Sequence, residues 1–333
     1  MTPFSATAQA APNIALIKYW GDFDPDLHIP ANGSISMNLD GLYTRTQVAF
    51  DPEFTTDELS INSEAQGGQV LERVSRLLDR VRRMAGMECR ARVISENNFP
   101  MGVGIASSAS AFAALALAAS QAAGLQLDEA GLSRLARTGS GSACRSIPGG
   151  FVEWMAGDSD ESSYAISLWS PDHWELIDCI AIVSHQHKST ASRQGHLLAN
   201  TSPLQAARVA DAPRRLDLCR QALRDKDIDL LARVVEQDSD LMHSVMMTSA
   251  PPLHYWQPAT LRIMSQVRNW RDHGWPVFYS VDAGPNVHAI CLANHAGKVA
   301  GELGQIPGVE QVLFAKPGGP AHLEPAPAQP LEI

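Results

Sequence analysis

The order of strand-like and helical patterns along the chain restricts the fold to a mixed architecture in two parts. Before about residue 185, short runs with strand character are interspersed with helical stretches and glycine-rich turns. After that point three long helical patterns come first and strands follow. Packed layers of helices and strands in such an order are typical of α+β proteins. We therefore predict an α+β fold with two lobes, a boundary near 185 and a functional site between the lobes.

The individual elements follow from the spacing of apolar residues, which repeats every three to four positions in helices and alternates in strands. Helices are predicted at 69–86, 106–123, 128–137, 203–224, 227–247, 257–273 and 295–304. Strands are predicted at 13–19, 89–95, 151–155, 164–170, 177–184, 276–281, 288–293 and 310–314, with a hairpin over 33–50 that turns near Asp40–Gly41. We expect residues 1–10 to be a flexible lead-in, 185–196 a polar loop, and the Pro-rich residues after 317 an extended or disordered tail.

Composition excludes several classes of function. The 333 residues include 26 Lys and Arg against 36 Asp and Glu, a net charge of −10, which disfavours a general nucleic-acid or anionic-membrane binder. The five cysteines are far apart and form no CxxC pair, so neither a disulfide framework nor a zinc ribbon is indicated. Together with the lack of a signal-peptide pattern, they predict a protein of the reducing cytoplasm. The Ala-rich stretch from Ile105 is interrupted by serines and is too poor in Leu, Ile and Val to predict a membrane span.

A glycine-bearing loop precedes the Ala-rich helix. A strand, then a loop containing Gly102 and Gly104, then a helix start would present backbone N–H groups at a positive helix end, which is an arrangement that binds phosphate. Ser107 and Ser108 would add hydroxyl donors. No Gly-Lys-Ser/Thr follows, so this is not a Walker A loop. An ordinary helix N-terminus with small residues for close packing is the alternative.

Three further segments contain residues suited to chemistry. In Gly139–Ser146 hydroxyls alternate with glycines, and Arg145 could hold a carboxylate or phosphate through two hydrogen bonds; a flexible turn with a surface arginine is the alternative. Asp282 precedes a Gly-Pro turn after a predicted strand, where a carboxylate is held rigidly as a base, although a plain β-turn has the same residues. Lys188–Gly195 offers donors and positive charge for a phosphate, or is a solvated loop. His185 and His187 lack a third ligand, so we predict no metal site there.

These segments together resemble one known family. The run Ala11–Gly21 (APNIALIKYWG) strongly resembles the opening of diphosphomevalonate decarboxylases, which belong to the GHMP kinase superfamily. The other matching segments follow in the family order: Asn98–Pro100 with Gly104–Ala109, Gly139–Ser146 with Gly149–Trp154, Ser192–Arg193, Met242–His243, Pro251–Pro252 and Asp282–Asn286. The matches span about residues 11 to 290.

The resemblance implies both a fold and a reaction. It implies a GHMP-kinase-like fold, with an N-terminal lobe like ribosomal protein S5 domain 2 over 1–185, a ferredoxin-like C-terminal lobe over 186–317, and the tail 318–333. It implies that ATP, with Mg²⁺, phosphorylates the C3 hydroxyl of a 5-phosphorylated mevalonate. The new phosphate then leaves as CO2 is lost, giving the isopentenyl product of the mevalonate pathway of isoprenoid biosynthesis. A homodimer with small-molecule ligands only is the family expectation.

The resemblance also implies roles for single residues. Asp282 would be the base beside the tertiary hydroxyl, Lys18 would lie next to Asp282 and the transferred phosphoryl group, and Arg145 would hold the substrate carboxylate. The implied substrate-binding residues are Tyr19, Ser140, Ser142, Ser192, Arg193 and Arg73. The implied ATP-binding residues are Asn98, Gly102, Gly104, Ala106, Ser107 and Ser108. Magnesium would be bound mostly by phosphates and water, with no direct protein ligand predicted.

Two departures from the family pattern stand out. The family usually has Lys-Tyr-Trp-Gly-Lys, whereas this chain ends that run with Asp22, and it has Ser110-Ala111 where Ala-Gly is usual. The first is a charge reversal close to where the family handles the C5 phosphates. Mevalonate 5-diphosphate, giving isopentenyl diphosphate, is the first choice of substrate. Mevalonate 5-phosphate, giving isopentenyl phosphate, is the alternative, and a mevalonate kinase that does not decarboxylate is a third.

Overall fold

The computed structural model describes residues 4–99, 107–184 and 192–325. Its strands are β1 Phe4–Ala10, β2 Asn13–Ile17, β3 Asp22–Asp24, β4 Ile29–Pro30, β5 Ser34–Asp40, β6 Thr44–Asp51, β7 Glu58–Ile61, β8 Glu64–Gln66, β9 Arg90–Asn97, β10 Phe151–Trp154, β11 Ala165–Trp169, β12 Leu176–Ile182, β13 Val277–Ser280, β14 Val287–Leu292, β15 Gln311–Pro317 and β16 His322–Leu323. Its helices are α1 Gly68–Ala85, α2 Ser107–Ala122, α3 Glu129–Gly139, α4 Ser192–Leu198, α5 Gln205–Asp225, α6 Ile228–Thr248, α7 Pro258–Asp272 and α8 Ala296–Leu303. The α+β prediction is confirmed.

Two large sheets organise the chain. One sheet has six strands in the order β16-β1-β6-β9-β7-β8. The other has eight, in the order β11-β10-β5-β15-β12-β14-β13, with β2 paired to β5. The larger sheet crosses the predicted boundary near 185, because β15 pairs with β5 at Lys316 opposite Asp40 and Pro317 opposite Leu39. Strands from both halves of the sequence therefore meet in one sheet, and β2, which pairs with β5, leads directly to Lys18.

The predicted helices are present because their apolar faces have cores to pack against. In α1 the residues at helical spacing, Val74, Leu77, Leu78 and Val81, are buried, and the helix ends at Gly86, whose φ of 64° is left-handed. The Ala-rich α2 packs on β1 and β6, where its small side chains allow close approach. Within the described ranges, no helix is long and apolar enough to cross a membrane.

Four predictions about local structure were wrong, at least in part. The expected lead-in is the strand β1, which pairs with β6 over its whole length and buries Ala8 and Ala10. The predicted hairpin over 33–50 has its turn, but β5 and β6 enter different sheets. The predicted polar loop is helical from Ser192, as α4, while residues 185–191, including His185, His187 and Lys188, lie outside the described residues.

The predicted tail is the fourth case: its described part is extended as predicted and includes β16, but it belongs to the fold, and residues 326–333 lie outside the described residues. Residues 318–325 pack on the N-terminal half of the chain, since β16 pairs with β1 and the Gly318 N–H donates to the Asn38 carbonyl at 2.8 Å. An ion pair of 2.6 Å between Arg45 and Glu324 reinforces this contact. The chain thus returns to its first sheet after finishing the second. A composition rich in Pro and Gly did not reveal this contact, because it depends on partners far away in the sequence.

Candidate active site

The centre of the site is an ion pair between the end of β2 and the turn after β13. The Lys18 Nζ lies 2.6 Å from the Asp282 Oδ1 and donates a second hydrogen bond of 2.6 Å to the Ser280 Oγ. Lys18 is 1% exposed, while the Asp282 side chain is 24% exposed and so reaches the cavity. Burial is the largest effect on Lys18 and lowers its pKa, although Asp282 opposes the shift. For Asp282 burial alone would raise the pKa, but Lys18, His288 and Arg145 outweigh it and hold the pKa below its usual range. Asp282 is therefore an ionised carboxylate at neutral pH.

The backbone of Lys18 is fixed by a buried polar network behind the cavity. Its N–H donates to the Asp238 Oδ2 at 2.6 Å, and its carbonyl accepts from Arg208 at 2.8 Å and from Asn32 at 3.0 Å. Asp238 is itself paired with Arg215 at 2.7 Å, and both side chains are completely buried. This network joins α5 and α6 to the end of β2, so the helices of the C-terminal half set the position of the lysine.

We expect Asp238→Asn to lower the free energy of unfolding by about 3 kcal/mol, because it leaves Arg215 buried with only a half-exposed partner, Asp211. Urea unfolding followed by circular dichroism measures the change. The matched control is Asp217→Asn. Asp217 is 75% exposed and forms an ion pair with Arg220, which this substitution removes. That control should change stability by no more than about 0.5 kcal/mol. Equal effects in the two variants would contradict the structural role of Asp238.

The turn carrying Asp282 is tied to its neighbours. The Gly284 N–H donates to the Asp282 carbonyl at 2.7 Å, and the Asn286 side chain accepts from the Val183 N–H at 2.7 Å. Thr260 at the start of α7 donates to the Pro285 carbonyl at 2.6 Å. These contacts hold the carboxylate in place, as the position of an aspartate on a Gly-Pro turn after a strand indicates.

Arg145 is a buried guanidinium that faces this ion pair without a carboxylate of its own. It lies in a short 3₁₀ helix, Gly141–Ser146, and is 3% exposed. It donates to the Ser34 Oγ at 2.7 Å and to the Asn13 Oδ1 at 3.1 and 3.3 Å. Among the residues that the structure describes, no acidic side chain pairs with it. Because a buried charge is costly unless it is paired, this arrangement suits an anionic ligand.

The predicted catalytic and substrate-binding residues surround one cavity of about 270 Å³. Its lining includes Lys18, Tyr19, Arg73, Ser107, Ser108, Ser140, Ser142, Arg145, Ser192, Arg193 and Asp282. The hydroxyls of Ser108 and Ser140 are 3.3 Å apart, which brings the start of α2 next to the Gly139–Ser146 segment. A larger residue would not fit at Gly141, because its Cβ would lie 2.7 Å from the Tyr19 hydroxyl. The glycine thus leaves room for the tyrosine ring.

Two arginines add positive charge on another side of the cavity. Arg73 on α1 donates to the Gly139 carbonyl at 3.1 Å and lies over the Phe112 ring at 4.7 Å. Burial lowers its pKa to about 10, and the neighbouring charge of Arg193 on α4 contributes to the shift. Neither arginine forms an ion pair within the described part of the chain. Two like charges held together in this way suit an anionic ligand.

Some of the predicted ATP-binding residues are not found in this cavity. Asn98 lies at the end of β9, where its side chain donates to the Gly41 carbonyl at 2.8 Å and accepts from the Tyr43 N–H at 2.7 Å. It therefore holds the turn between β5 and β6, and it does not line the cavity. Gly102, Gly104 and Ala106 lie outside the described residues.

Several residues that shape the site were not predicted. His196 stacks between Tyr19 and Trp20, with ring centroids at 4.1 and 4.4 Å, and accepts from the Gly21 N–H at 3.1 Å. His28 and Asp22 also line the cavity. Among these residues, only Asp22 was indicated by the sequence, as a departure from the family pattern. His196 was not predicted because its segment was interpreted as a loop.

A larger and mainly apolar cavity adjoins the first. It has a volume of about 600 Å³ and lies between α1, α2, the β7–β9 edge of the smaller sheet and α4. Its apolar wall includes Leu59, Val74 and Leu115. Arg73 and Arg193 line both cavities, so a ligand with an apolar part and a charged part could extend from one into the other.

Comparison with known proteins identifies the family. Residues 10–165 match the family model of the diphosphomevalonate decarboxylase-like N-terminal domain. Residues 179–314 match that of the mevalonate 5-diphosphate decarboxylase C-terminal domain. The chain belongs to the diphosphomevalonate decarboxylase family. The resemblance found in the sequence is thus confirmed, while the division at residue 185 stays a prediction.

Curated relatives of this family include two with different named substrates. The diphosphomevalonate decarboxylase of Eremothecium gossypii is 36% identical over 92% of this chain and 82% of its own length. The phosphomevalonate decarboxylase of Haloferax volcanii is 35% identical over 96% of this chain and 97% of its own length. Their similar identities do not distinguish between the two substrates.

Solved structures confirm the two-lobed GHMP-kinase-like fold class. The mevalonate diphosphate decarboxylase of Staphylococcus aureus superposes with a TM-score of 0.92 at 38% identity, covering 96% of this chain and 98% of that one. A structure described as MDDEF in complex with MVAPP, AMPPCP and magnesium has a TM-score of 0.92 at 36% identity, covering 97% of this chain and 99% of that one. The mevalonate diphosphate decarboxylase of Enterococcus faecalis superposes with a TM-score of 0.90 at 36% identity, covering 97% of this chain and 99% of that one.

Proposed function

We propose that this chain catalyses the ATP-dependent decarboxylation of a 5-phosphorylated mevalonate in the mevalonate pathway. Mevalonate 5-diphosphate, giving isopentenyl diphosphate, is the substrate that most of its relatives suggest. The observation on which the proposal rests is the arrangement of three residues around one cavity. Asp282 and Lys18 form an ion pair there, and the buried Arg145 has no acidic partner in the described chain.

The first half of the reaction needs a base beside a tertiary hydroxyl. The ionised Asp282 would accept the C3 hydroxyl proton while the oxygen attacks the γ-phosphorus of ATP and the bond to the leaving ADP breaks. Lys18 is fixed at 2.6 Å from Asp282 and would stabilise negative charge on the transferred phosphoryl group. A positioned base of this kind typically contributes about 10²–10⁴-fold to the rate.

The second half needs a substrate carboxylate held in a fixed orientation. When the new C3 phosphate leaves with the C–O electrons, the C–C bond to the carboxylate supplies the electrons of the double bond and CO2 is released. Arg145 would bind that carboxylate through two hydrogen bonds, since Ser34 and Asn13 already fix the plane of its guanidinium. The remaining predicted substrate residues line the same cavity, which supports their proposed roles: Tyr19, Ser140, Ser142, Ser192, Arg193 and Arg73.

ATP and magnesium are the proposed co-substrate and metal ion. The apolar 600 Å³ cavity has the size and lining for a nucleoside, and Ser107 and Ser108 at the start of α2 could donate to its phosphates. No group of three or more metal-ligating side chains occurs in residues 4–99, 107–184 and 192–325. A magnesium ion bound mainly by phosphate oxygens and water would neutralise charge on the phosphates. Asn98 keeps its proposed ATP-binding role only as a prediction.

The test measures ADP and CO2 together. The purified chain is given ATP and Mg²⁺ with mevalonate 5-diphosphate or mevalonate 5-phosphate in separate reactions. We expect one CO2 for each ADP with at least one of the two substrates. ADP without CO2 would indicate a kinase instead, and neither product from either substrate would overturn the proposal.

A homodimer in the cytoplasm completes the proposal. All five cysteines are free thiols and four of them are buried, which is compatible with a reducing compartment. The dimer rests on the family resemblance alone. Light scattering at micromolar concentration would test it, and a monomeric mass would reject it.

A further inference from the structure

A carboxylate lies in the wall of the otherwise cationic cavity. Four Lys and Arg side chains line the cavity, namely Lys18, Arg73, Arg145 and Arg193, and they face two carboxylates, Asp22 and Asp282. Asp282 is neutralised by Lys18 at 2.6 Å and has a proposed part in the reaction. Within the described residues, Asp22 has no lysine or arginine partner and no part in the reaction proposed so far. Its presence in a cavity for a phosphorylated substrate needs an explanation.

Asp22 is held in the cavity wall and is not free to turn toward solvent. Its side chain is only 5% exposed, and its Oδ1 accepts a short hydrogen bond from the Tyr19 hydroxyl. The His28 Nδ1 lies 3.9 Å from its Oδ2. His28 is 6% exposed and adopts a left-handed φ of 52°, which a non-glycine residue rarely does without support from its surroundings. Tyr19, which follows β2, and His28, in the turn between β3 and β4, thus hold the carboxylate from two sides.

The carboxylate is charged under ordinary conditions. Burial by itself would raise the pKa of Asp22, but its interactions with His28, His196 and Tyr19 outweigh burial and lower the pKa. The Tyr19 hydroxyl stays protonated, because burial raises its pKa well above the usual range. The pair is therefore a neutral donor and a negative acceptor.

Asp22 faces the end of the cavity that is suited to phosphate. His196 contacts the Tyr19 ring at 4.1 Å and accepts from the N–H of Gly21, the residue before Asp22, at 3.1 Å. It lies three residues after Arg193 on α4, so the two side chains are neighbours on the helix surface. Arg73 and Arg193 lie together at this end, while Lys18 and Asp282 form the reactive pair. The two arginines would bind the first phosphate of the substrate. A second phosphoryl group would add negative charge in the space beside Asp22.

We propose that Asp22 determines specificity at the phosphate end of the cavity, by opposing a second phosphoryl group and shifting selectivity from mevalonate 5-diphosphate toward mevalonate 5-phosphate. This inference rests on the proposed decarboxylation of a 5-phosphorylated mevalonate. Like charges at short range in a partly buried site repel each other far more than in water. The monophosphate has fewer charges to place and can be bound by the arginines alone.

The test compares the two substrates in wild type and in charge variants at one position. Asp22→Asn keeps the shape and can still accept from Tyr19, but it removes the charge, and Asp22→Lys reverses it. We expect Asp22→Asn to raise the ratio of kcat/KM for the diphosphate to that for the monophosphate by about tenfold, equivalent to about 1.4 kcal/mol. Asp22→Lys should raise it further. The matched control is Asp26→Asn, the same change at an exposed residue of the same hairpin, which should leave the ratio within about twofold.

The outcomes separate this inference from the proposed function. If wild type releases CO2 from neither substrate, the proposed function fails and this inference with it. If wild type is active but the ratio in folded Asp22→Asn stays within twofold, Asp22 has no part in specificity and the inference is overturned. Asp22→Ser is the second neutral variant, and thermal unfolding shows whether each variant folds. If neither neutral variant folds, Asp22 is a structural residue and the inference is likewise overturned.

Discussion

Replacing Asp282 with Asn should abolish ATP-dependent turnover while the protein stays folded and binds ATP. Loss of a positioned base typically costs about 10²–10⁴-fold in rate, and we expect kcat/KM for CO2 release to fall within that range. The amide cannot take the proton of the C3 hydroxyl, and it weakens the countercharge that holds Lys18 at 2.6 Å. The fold should persist because the Lys18 Nζ keeps its hydrogen bond to Ser280 and the turn keeps its tether through Asn286.

Three measurements make this prediction decisive. CO2 release gives kcat/KM, isothermal titration gives the affinity for ATP with Mg²⁺, and thermal unfolding reports the fold. Asp240→Asn is the control, because Asp240 is a carboxylate of α6 that pairs with Arg268 and does not line the cavity, so its activity should stay within about twofold of wild type. An Asp282→Asn protein with more than about a tenth of wild-type activity would contradict the assignment of Asp282 as the base.

The sequence predicted elements whose pattern is local and strong. The spacing of Val74, Leu77, Leu78 and Val81 indicates one helix face, and those residues are buried in α1. The same holds for α2 and for the long helices after residue 200, whose bounds agree with the predictions to within a few residues. In each case the apolar or Ala-rich pattern lies within one helix, so no distant partner is needed to recognise it.

The errors concern elements whose partners are far away in the sequence. β1 has only alanines as inward residues, a pattern too weak to predict a strand, yet Ala8 and Ala10 are buried because α2 covers them. The turn at Asp40–Gly41 was recognised from its residues. However, no local signal showed that β5 would pair with β2, β10 and β15 while β6 joined β1 and β9. Strand pairing of this kind depends on the whole fold.

The candidate site shows the same division. Lys18 and Asp282 are 264 positions apart, so spacing cannot bring them together, and only the resemblance to a family indicated that they meet. The residues that hold them, such as Asp238 behind Lys18 and Ser34 beside Arg145, have no motif of their own. They were missed because a supporting hydrogen bond can be made by many residue types from many elements.

Arg145→Lys should be nearly as damaging as Arg145→Ala, with both lowering kcat/KM for CO2 release by about 10²–10³-fold, the range for losing one preorganised donor to a reacting charge. The guanidinium is fixed by the Ser34 and Asn13 side chains on two edges. Burial lowers its pKa, and the charge of Asp282 opposes that shift only in part. An ammonium group keeps the charge, but it cannot bond Ser34, Asn13 and both oxygens of a substrate carboxylate at once.

Arg214→Lys, at a side chain that is 51% exposed, is the matched control and should stay within about twofold of wild type. A folded Arg145→Lys protein with wild-type activity would show that Arg145 supplies only diffuse positive charge, and its proposed two-bonded contact with the carboxylate would be wrong.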